Sequence, residues 1–291
     1  MESGVAGDLL ASLQQDPALA IGAALVLGLI VGSFLNVVIY RLPKMLETGW
    51  QDQAAELRGE EIPERERFDL ISPRSRCPSC GHSIGALENI PVLSWLFLRG
   101  RCKACGTRIS ARYPAVGLAS GLLCAGAVGQ FGFTLAAAGA IILSLFLLVL
   151  AMIDLDTQLL PDGMTLPLLW IGLVFNLGGT YAPIEEAVVG AMIGYLSLWS
   201  IYWIFRLATG KEGMGYGDFK LLAALGAWFG WHALPSIILL ASAVGALVGI
   251  ALIVFARHKR GTPIPFGPYL AGAGLLALYV REPVAAIFGV S

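Results

Sequence analysis

At 291 residues the chain is long enough for one large soluble domain or two ordinary ones, but 57% of it is hydrophobic, only 13% is charged and the mean hydropathy is +0.75. No soluble fold hides that much apolar surface, whereas a bilayer solvates it directly. The formal net charge of −1 points to no polyanion, and in the most basic stretch Lys and Arg alternate with nearly as many acids, which argues against a nucleic-acid partner.

The start, Met1 to Asp16, is acidic rather than basic, and the apolar run after it is too long for a cleavable signal, so it is expected to stay as a first membrane helix. With about 20 apolar residues per crossing, eight spans are predicted, near 18–40, 113–130, 133–153, 164–180, 184–207, 219–232, 235–256 and 266–281. The fold class expected is therefore an all-α polytopic membrane protein. It divides into 1–40, a 41–112 loop between the first two helices, and a 113–291 domain of seven helices. The 36 glycines suit close helix packing in lipid, where small residues let backbones approach.

Orientation follows from the basic residues near span ends. Arg41 and Lys44 follow span one, Arg112 precedes span two, Arg206 and Lys211 follow span five, and Arg257, Lys259 and Arg260 follow span seven. The connections at 130–132, 178–186 and 231–236 carry no Lys or Arg. Every basic cluster lands on one side, the cytoplasm, if both termini lie outside. His232 and His258, at span ends, read as interfacial.

The loop carries twelve of the nineteen Lys and Arg and four of the five cysteines. Its acidic group Glu56, Glu60, Glu61, Glu64, Glu66 and Asp69 reads first as a solvated helix face, with attraction of a basic partner as the alternative. Cys77-x2-Cys80 and Cys102-x2-Cys105 are separated by 21 residues, and each pair is followed by glycine, Gly81 and Gly106. Four thiolates at this spacing suit one tetrahedral zinc ion of the ribbon or knuckle type, and a reducing cytoplasm disfavours the disulfide alternative. Four sulfur ligands leave no open position, so the expected zinc is structural. His82 is a spare ligand candidate, and Cys124, inside span two, reads as a small buried hydrophobe.

From Arg112 onward only eight acids occur in 180 positions, and three of them, Asp154, Asp156 and Asp162, cluster at the end of span three. Asp218 directly precedes span six. A carboxylate at a span end costs up to a few kcal/mol to insert, so it marks a candidate site. Asp156 and Asp162 also fit the roles of helix cap or loop residue. Two carboxylates a few ångströms apart cannot both ionise; they share a proton, and such a pair can hydrolyse a peptide without a covalent intermediate. The glycines before Asp218 are expected to give close backbone approach and unusual backbone angles. Acidic groups in membranes also serve ion pathways, so a secondary transporter or channel is the alternative reading.

Gly215-Tyr216-Gly217-Asp218 resembles the GxGD signature of intramembrane aspartic proteases, with Asp154 lying 64 residues upstream. The chain as a whole is similar to the type IV prepilin peptidases, the bifunctional leader peptidase/N-methyltransferases. The resemblance extends over Gly32-Ser33-Phe34-Leu35-Asn36-Val37-Val38, Arg41-Leu42-Pro43, the loop cysteines, Glu88-Asn89-Ile90-Pro91 and Gly261-Thr262-Pro263-Ile264-Pro265-Phe266-Gly267-Pro268. It implies an enzyme of the bacterial inner membrane that removes a basic leader from prepilins and type II secretion pseudopilins, cutting after a glycine at the cytoplasmic face. It also implies methylation of the new N-terminus by S-adenosylmethionine, with Asp154 and Asp218 as the catalytic pair. The chain has no strand–GxGxxG–helix unit, so no residues are assigned to the methyl donor, although Glu88 and Asn89 lie in the loop where its site is expected.

Overall fold

The computed structural model describes residues 11–85, 88, 92–255 and 264–280. Most of the acidic start, Asn89-Ile90-Pro91, the basic group Arg257, Lys259 and Arg260 with His258, and Gly261-Thr262-Pro263 lie outside the described residues. The chain forms two compact units, Met1–Phe133 and Thr134–Ser291.

In the first unit α1 (Pro17–Leu57) opens at a proline in its first turn, which needs no helical N–H there. The Asp16 carboxylate before it accepts the Ala18 and Leu19 N–H groups at 2.9 and 3.2 Å. The helix was expected to stop near residue 40, yet it runs unbroken through Pro43 for 41 residues. A proline deletes one intrahelical bond, but the strong helix formers that follow (Met45, Leu46, Glu47, Gln51, Gln53, Ala54, Ala55) outweigh that loss. Arg41 is buried and donates to the Asp69 and Pro73 carbonyls at 2.8 and 2.6 Å, tying the loop to α1. The acidic stretch is not the helix face expected of it: only Glu56 is helical, residues 60–68 have no regular structure, and Glu60 pairs with Arg58 and Asp69 with Arg67.

A short α2 (Leu93–Phe97) precedes α3 (Arg112–Phe131), which packs on α1. The contact is between glycines: a Cβ on Gly28 would meet the Ser120 carbonyl at 2.5 Å, and one on Gly32 would meet Gly117 Cα at 2.8 Å. Inside a bilayer the gain from such a contact is dispersion and fit rather than release of water. Cys124 is fully buried in α3, the hydrophobe the sequence suggests.

The second unit contains α4 (Leu135–Thr157), α5 (Asp162–Asn176), α6 (Ile184–Thr209), α7 (Tyr216–Phe229), α8 (Leu234–Phe255) and α9 (Gly267–Tyr279). At its centre is α7, where every residue from Asp218 to Trp228 except Lys220 is buried. Small residues bring α6 against it: a Cβ on Gly226 would collide with the Gly190 carbonyl oxygen. Trp228 donates its indole N–H to the Leu168 carbonyl of α5 at 2.9 Å. Asn176 closes the same end: its amide donates to the Ala227 and Trp228 carbonyls, and its oxygen accepts the Tyr181 and Ala182 N–H groups. Those are orphan carbonyls of a helix end, satisfied by one side chain.

Among the described residues five helices are long and apolar enough to cross a membrane: α1, α3, α4, α6 and the segment Trp231–Phe255 that contains α8. Helices α5, α7 and α9 coincide with the other three predicted spans but have 15, 14 and 13 residues. At about 1.5 Å per residue they fall short of a 30 Å hydrocarbon core. For α7 the shortness is tolerated because protein, not lipid, surrounds it.

Candidate active site and metal centre

Four aspartates sit at the helix ends where the sequence places its candidate site, and burial separates them. Asp154, in the last turn of α4, is 4% exposed, and Asp218, in the first turn of α7, is 6% exposed. Asp156 and Asp162 are exposed. Asp162 opens α5 and pairs through both oxygens with Lys220 Nζ at 2.6 and 2.7 Å. Leu160 lies between the two: it is a nearest neighbour both of Gly267, which faces Asp154, and of Gly217, which directly precedes Asp218.

Neighbouring groups fix the pair. Gln158, in the left-handed conformation at φ 56°, ends α4 and returns its N–H to the Asp154 carbonyl at 2.9 Å. The turn that follows brings Leu160 against Gly217, where a Cβ would lie 2.6 Å from the Leu160 Cβ. Asp154 Oδ2 accepts the Gly267 N–H of α9 at 2.9 Å in a buried bond. The glycines before Asp218 do not serve unusual backbone angles: Gly215 is extended at φ −83°, and Gly217 is absent from the positive-φ positions. What Gly217 provides is space for Leu160. A Cβ on Gly215 would meet nothing nearer than 3.9 Å, so that side of the site is open. Tyr216, between them, is 45% exposed and packs tilted against Tyr202 and Phe219 with centroids at 5.2 and 5.3 Å.

Three residues here carry no local signal of a site. Leu160 is one leucine among many, and Lys220 reads as a lone charge at a span start. Gly267 lies in a stretch matched by resemblance alone, 113 residues from the carboxylate it contacts.

In the first unit the four cysteines come from two matched turns. Cys77 N–H bonds the His82 carbonyl and Gly81 N–H the Cys77 carbonyl, each at 2.9 Å; Cys102 and Gly106 repeat the pattern with Thr107 and Cys102 at 2.8 and 2.9 Å. Gly81 and Gly106 both have φ +72°, which a side chain would oppose. The four sulfurs lie within 4.8 Å of one another, with Cys77–Cys105 at 3.8 Å and Cys80–Cys102 at 3.9 Å. Those separations are too long for disulfides. They match the edge of about 3.8 Å expected when four sulfurs surround zinc at 2.3 Å. The Thr107 hydroxyl lies 3.2 Å from Cys105 Sγ and helps fix the second turn. His82 does not join the cluster. Its Nε2 lies 3.1 Å from Glu88 Oε2, and the Gly85 N–H and His82 hold that carboxyl below its ordinary range.

Paired buried carboxylates on two helices and a four-thiol cluster define a polytopic membrane protein with a candidate acid pair and a candidate structural metal site. Two family models match it: the Bacterial Peptidase A24 N-terminal domain over residues 26–131, which contains the four cysteines, and the Type IV leader peptidase family over residues 141–250, which contains both aspartates. Among curated relatives, a prepilin leader peptidase/N-methyltransferase of Stutzerimonas stutzeri is 54% identical over 95% of this chain and 96% of its own length. One of Pseudomonas putida, with the same name, is 55% identical over 94% and 95%, and one of Pseudomonas aeruginosa is 52% identical over 93% of each. No solved structure matches. The chain belongs to the type IV leader peptidase family. Nothing in these relationships supports the transporter or channel reading.

Proposed function

We propose that the chain is a membrane aspartic endopeptidase that removes the leader from type IV prepilins and type II secretion pseudopilins, then methylates the new N-terminus with S-adenosylmethionine. One observation carries the proteolytic half. Of the four aspartates at these helix ends, the two that are buried come from different helices whose ends meet at Leu160. Relatives at 52–55% identity that carry both activities in their names support the whole.

Between them Asp154 and Asp218 hold one proton. The ionised member takes a proton from a water molecule as its oxygen attacks the scissile carbonyl carbon. The protonated member gives its proton to the carbonyl oxygen. The acid that took the water proton then gives it to the peptide nitrogen, the other takes a proton from a hydroxyl of the tetrahedral intermediate, and the C–N bond breaks with one proton again held by the pair. Cys77, Cys80, Cys102 and Cys105 would hold zinc, which would supply a structural cross-link for the loop rather than chemistry on the peptide. S-adenosylmethionine, when bound, supplies the methyl group. The basic residues flanking the spans support a reading in which the active site and the cysteine loop face the cytoplasm from the inner membrane.

The test uses purified chain in lipid and a prepilin-like peptide. Asp154→Asn and Asp218→Asn should each abolish leader release yet still methylate a peptide supplied already cleaved. Leader release at the normal rate by either variant would remove the basis of the proposal.

A further inference from the structure

We infer that Gly267 is a positioning residue for Asp154: the first N–H of α9 holds the carboxylate, and the missing side chain is what lets it approach. The inference rests on the reading of Asp154 and Asp218 as the proton-sharing pair.

Asp154 sits at the end of α4 on a side chain with two free torsions, so something must set the plane of its carboxylate if it is to meet a partner. The Gly267 N–H does this from 2.9 Å, within a buried contact between helices 113 residues apart. It is an orphan donor of a helix first turn. The next residue, Pro268, has no N–H, and the Tyr269 N–H goes to the Phe266 carbonyl at 3.1 Å, so Gly267 is the first-turn donor that reaches the site. The bond engages one oxygen, Oδ2, and so fixes the carboxylate plane without occupying Oδ1.

Glycine is required by space. A Cβ at 267 would stand 2.6 Å from Asp154 Oδ2, 3.1 Å from Asp154 Cγ and 3.1 Å from Leu160 Cδ1. An unstrained carbon–oxygen contact is about 3.3 Å or more. A methyl group here must push the carboxylate aside or lift α9 off it. The same helix supplies its own controls. A Cβ on Gly272 meets nothing within 4 Å, and one on Gly274 meets Leu225 Cδ2 at 2.6 Å, far from any acid.

The experiment measures kcat and KM for leader release, methyl transfer to an already cleaved peptide, and the melting temperature of the full chain in lipid. Gly267→Ala should lower kcat for release about 10- to 100-fold, the scale of a misplacement near 1 Å. KM and methyl transfer should stay within about twofold of the parent. Gly272→Ala should match the parent, and Gly274→Ala should lower the melting temperature without separating kcat from KM. A Gly267→Ala variant that keeps its kcat overturns the inference. So does one that loses release, methyl transfer and melting temperature together, as Gly274→Ala would if packing were all that mattered. Asp154→Asn run alongside separates the two levels. If it is inactive while Gly267→Ala cleaves normally, only this inference fails; if it cleaves normally, the pair itself fails.

Discussion

Gly217→Ala tests how the GxGD turn is held. A Cβ at this position would meet Leu160 Cβ at 2.6 Å, its carbonyl oxygen at 3.3 Å and its Cδ1 at 3.4 Å, so all three nearest obstacles belong to one residue. Carbon atoms in contact prefer about 3.5–4.0 Å, so the shortfall is near 1 Å. Overpacking of that size costs about 1–3 kcal/mol, roughly 5- to 150-fold if it all falls on the reactive geometry. Because Asp218 is the next residue, leader release should fall by that order. Leu160→Gly removes both obstructing side-chain atoms. The double variant Gly217→Ala/Leu160→Gly should therefore cleave better than the product of the two single losses allows, with a coupling of at least about 0.5 kcal/mol. Initial rates of peptide cleavage in lipid give all four corners of the cycle. Strict additivity, or a Gly217→Ala variant at the parental rate, would refute the reasoning.

Three further outcomes follow from the same coordinates. Cys77→Ser or Cys102→Ser should release bound zinc, read as metal per chain by elemental analysis, and should leave the 72–112 stretch open to protease; unchanged metal content would count against a four-sulfur site. Lys220→Asp should slow release severalfold by freeing Asp162 at the start of α5, and adding Asp162→Lys should recover part of the loss. The pair is more than half exposed on the Asp162 side, so its effect on stability should stay below about 1 kcal/mol. Asn176→Leu strands two carbonyls and two N–H groups in a buried place, and at about 1–3 kcal/mol for an unmet buried group it should lower the melting temperature sharply even though no acid is touched.

What could be read in advance was whatever leaves a local pattern. Apolar runs located α3 through α9 to within a few residues, because lipid imposes composition over a whole segment. The two Cys-x2-Cys turns and the acids of α4 and α7 stood out by residue type. The apolar run gave the end of the first span but not of its helix, because polar helix formers after residue 43 carry α1 on to Leu57 outside the apolar stretch. The supports of the site were beyond reach for a different reason. The Leu160–Gly217 contact, the Asp162–Lys220 pair and the Gly267–Asp154 bond each join residues 57 to 113 positions apart, and no periodicity encodes such a meeting. Sequence showed that Gly217 was needed; the contact with Leu160 showed that the need was volume rather than backbone angle.

The central claim is that Asp154 and Asp218 work as one unit, and the rate of Asp154→Asn/Asp218→Asn beside each single variant addresses it most directly. If the acids share a proton, either substitution alone brings leader release to the same floor as both together. If the double variant is slower than the singles by the product of their separate effects, the two carboxylates act independently and the account is wrong.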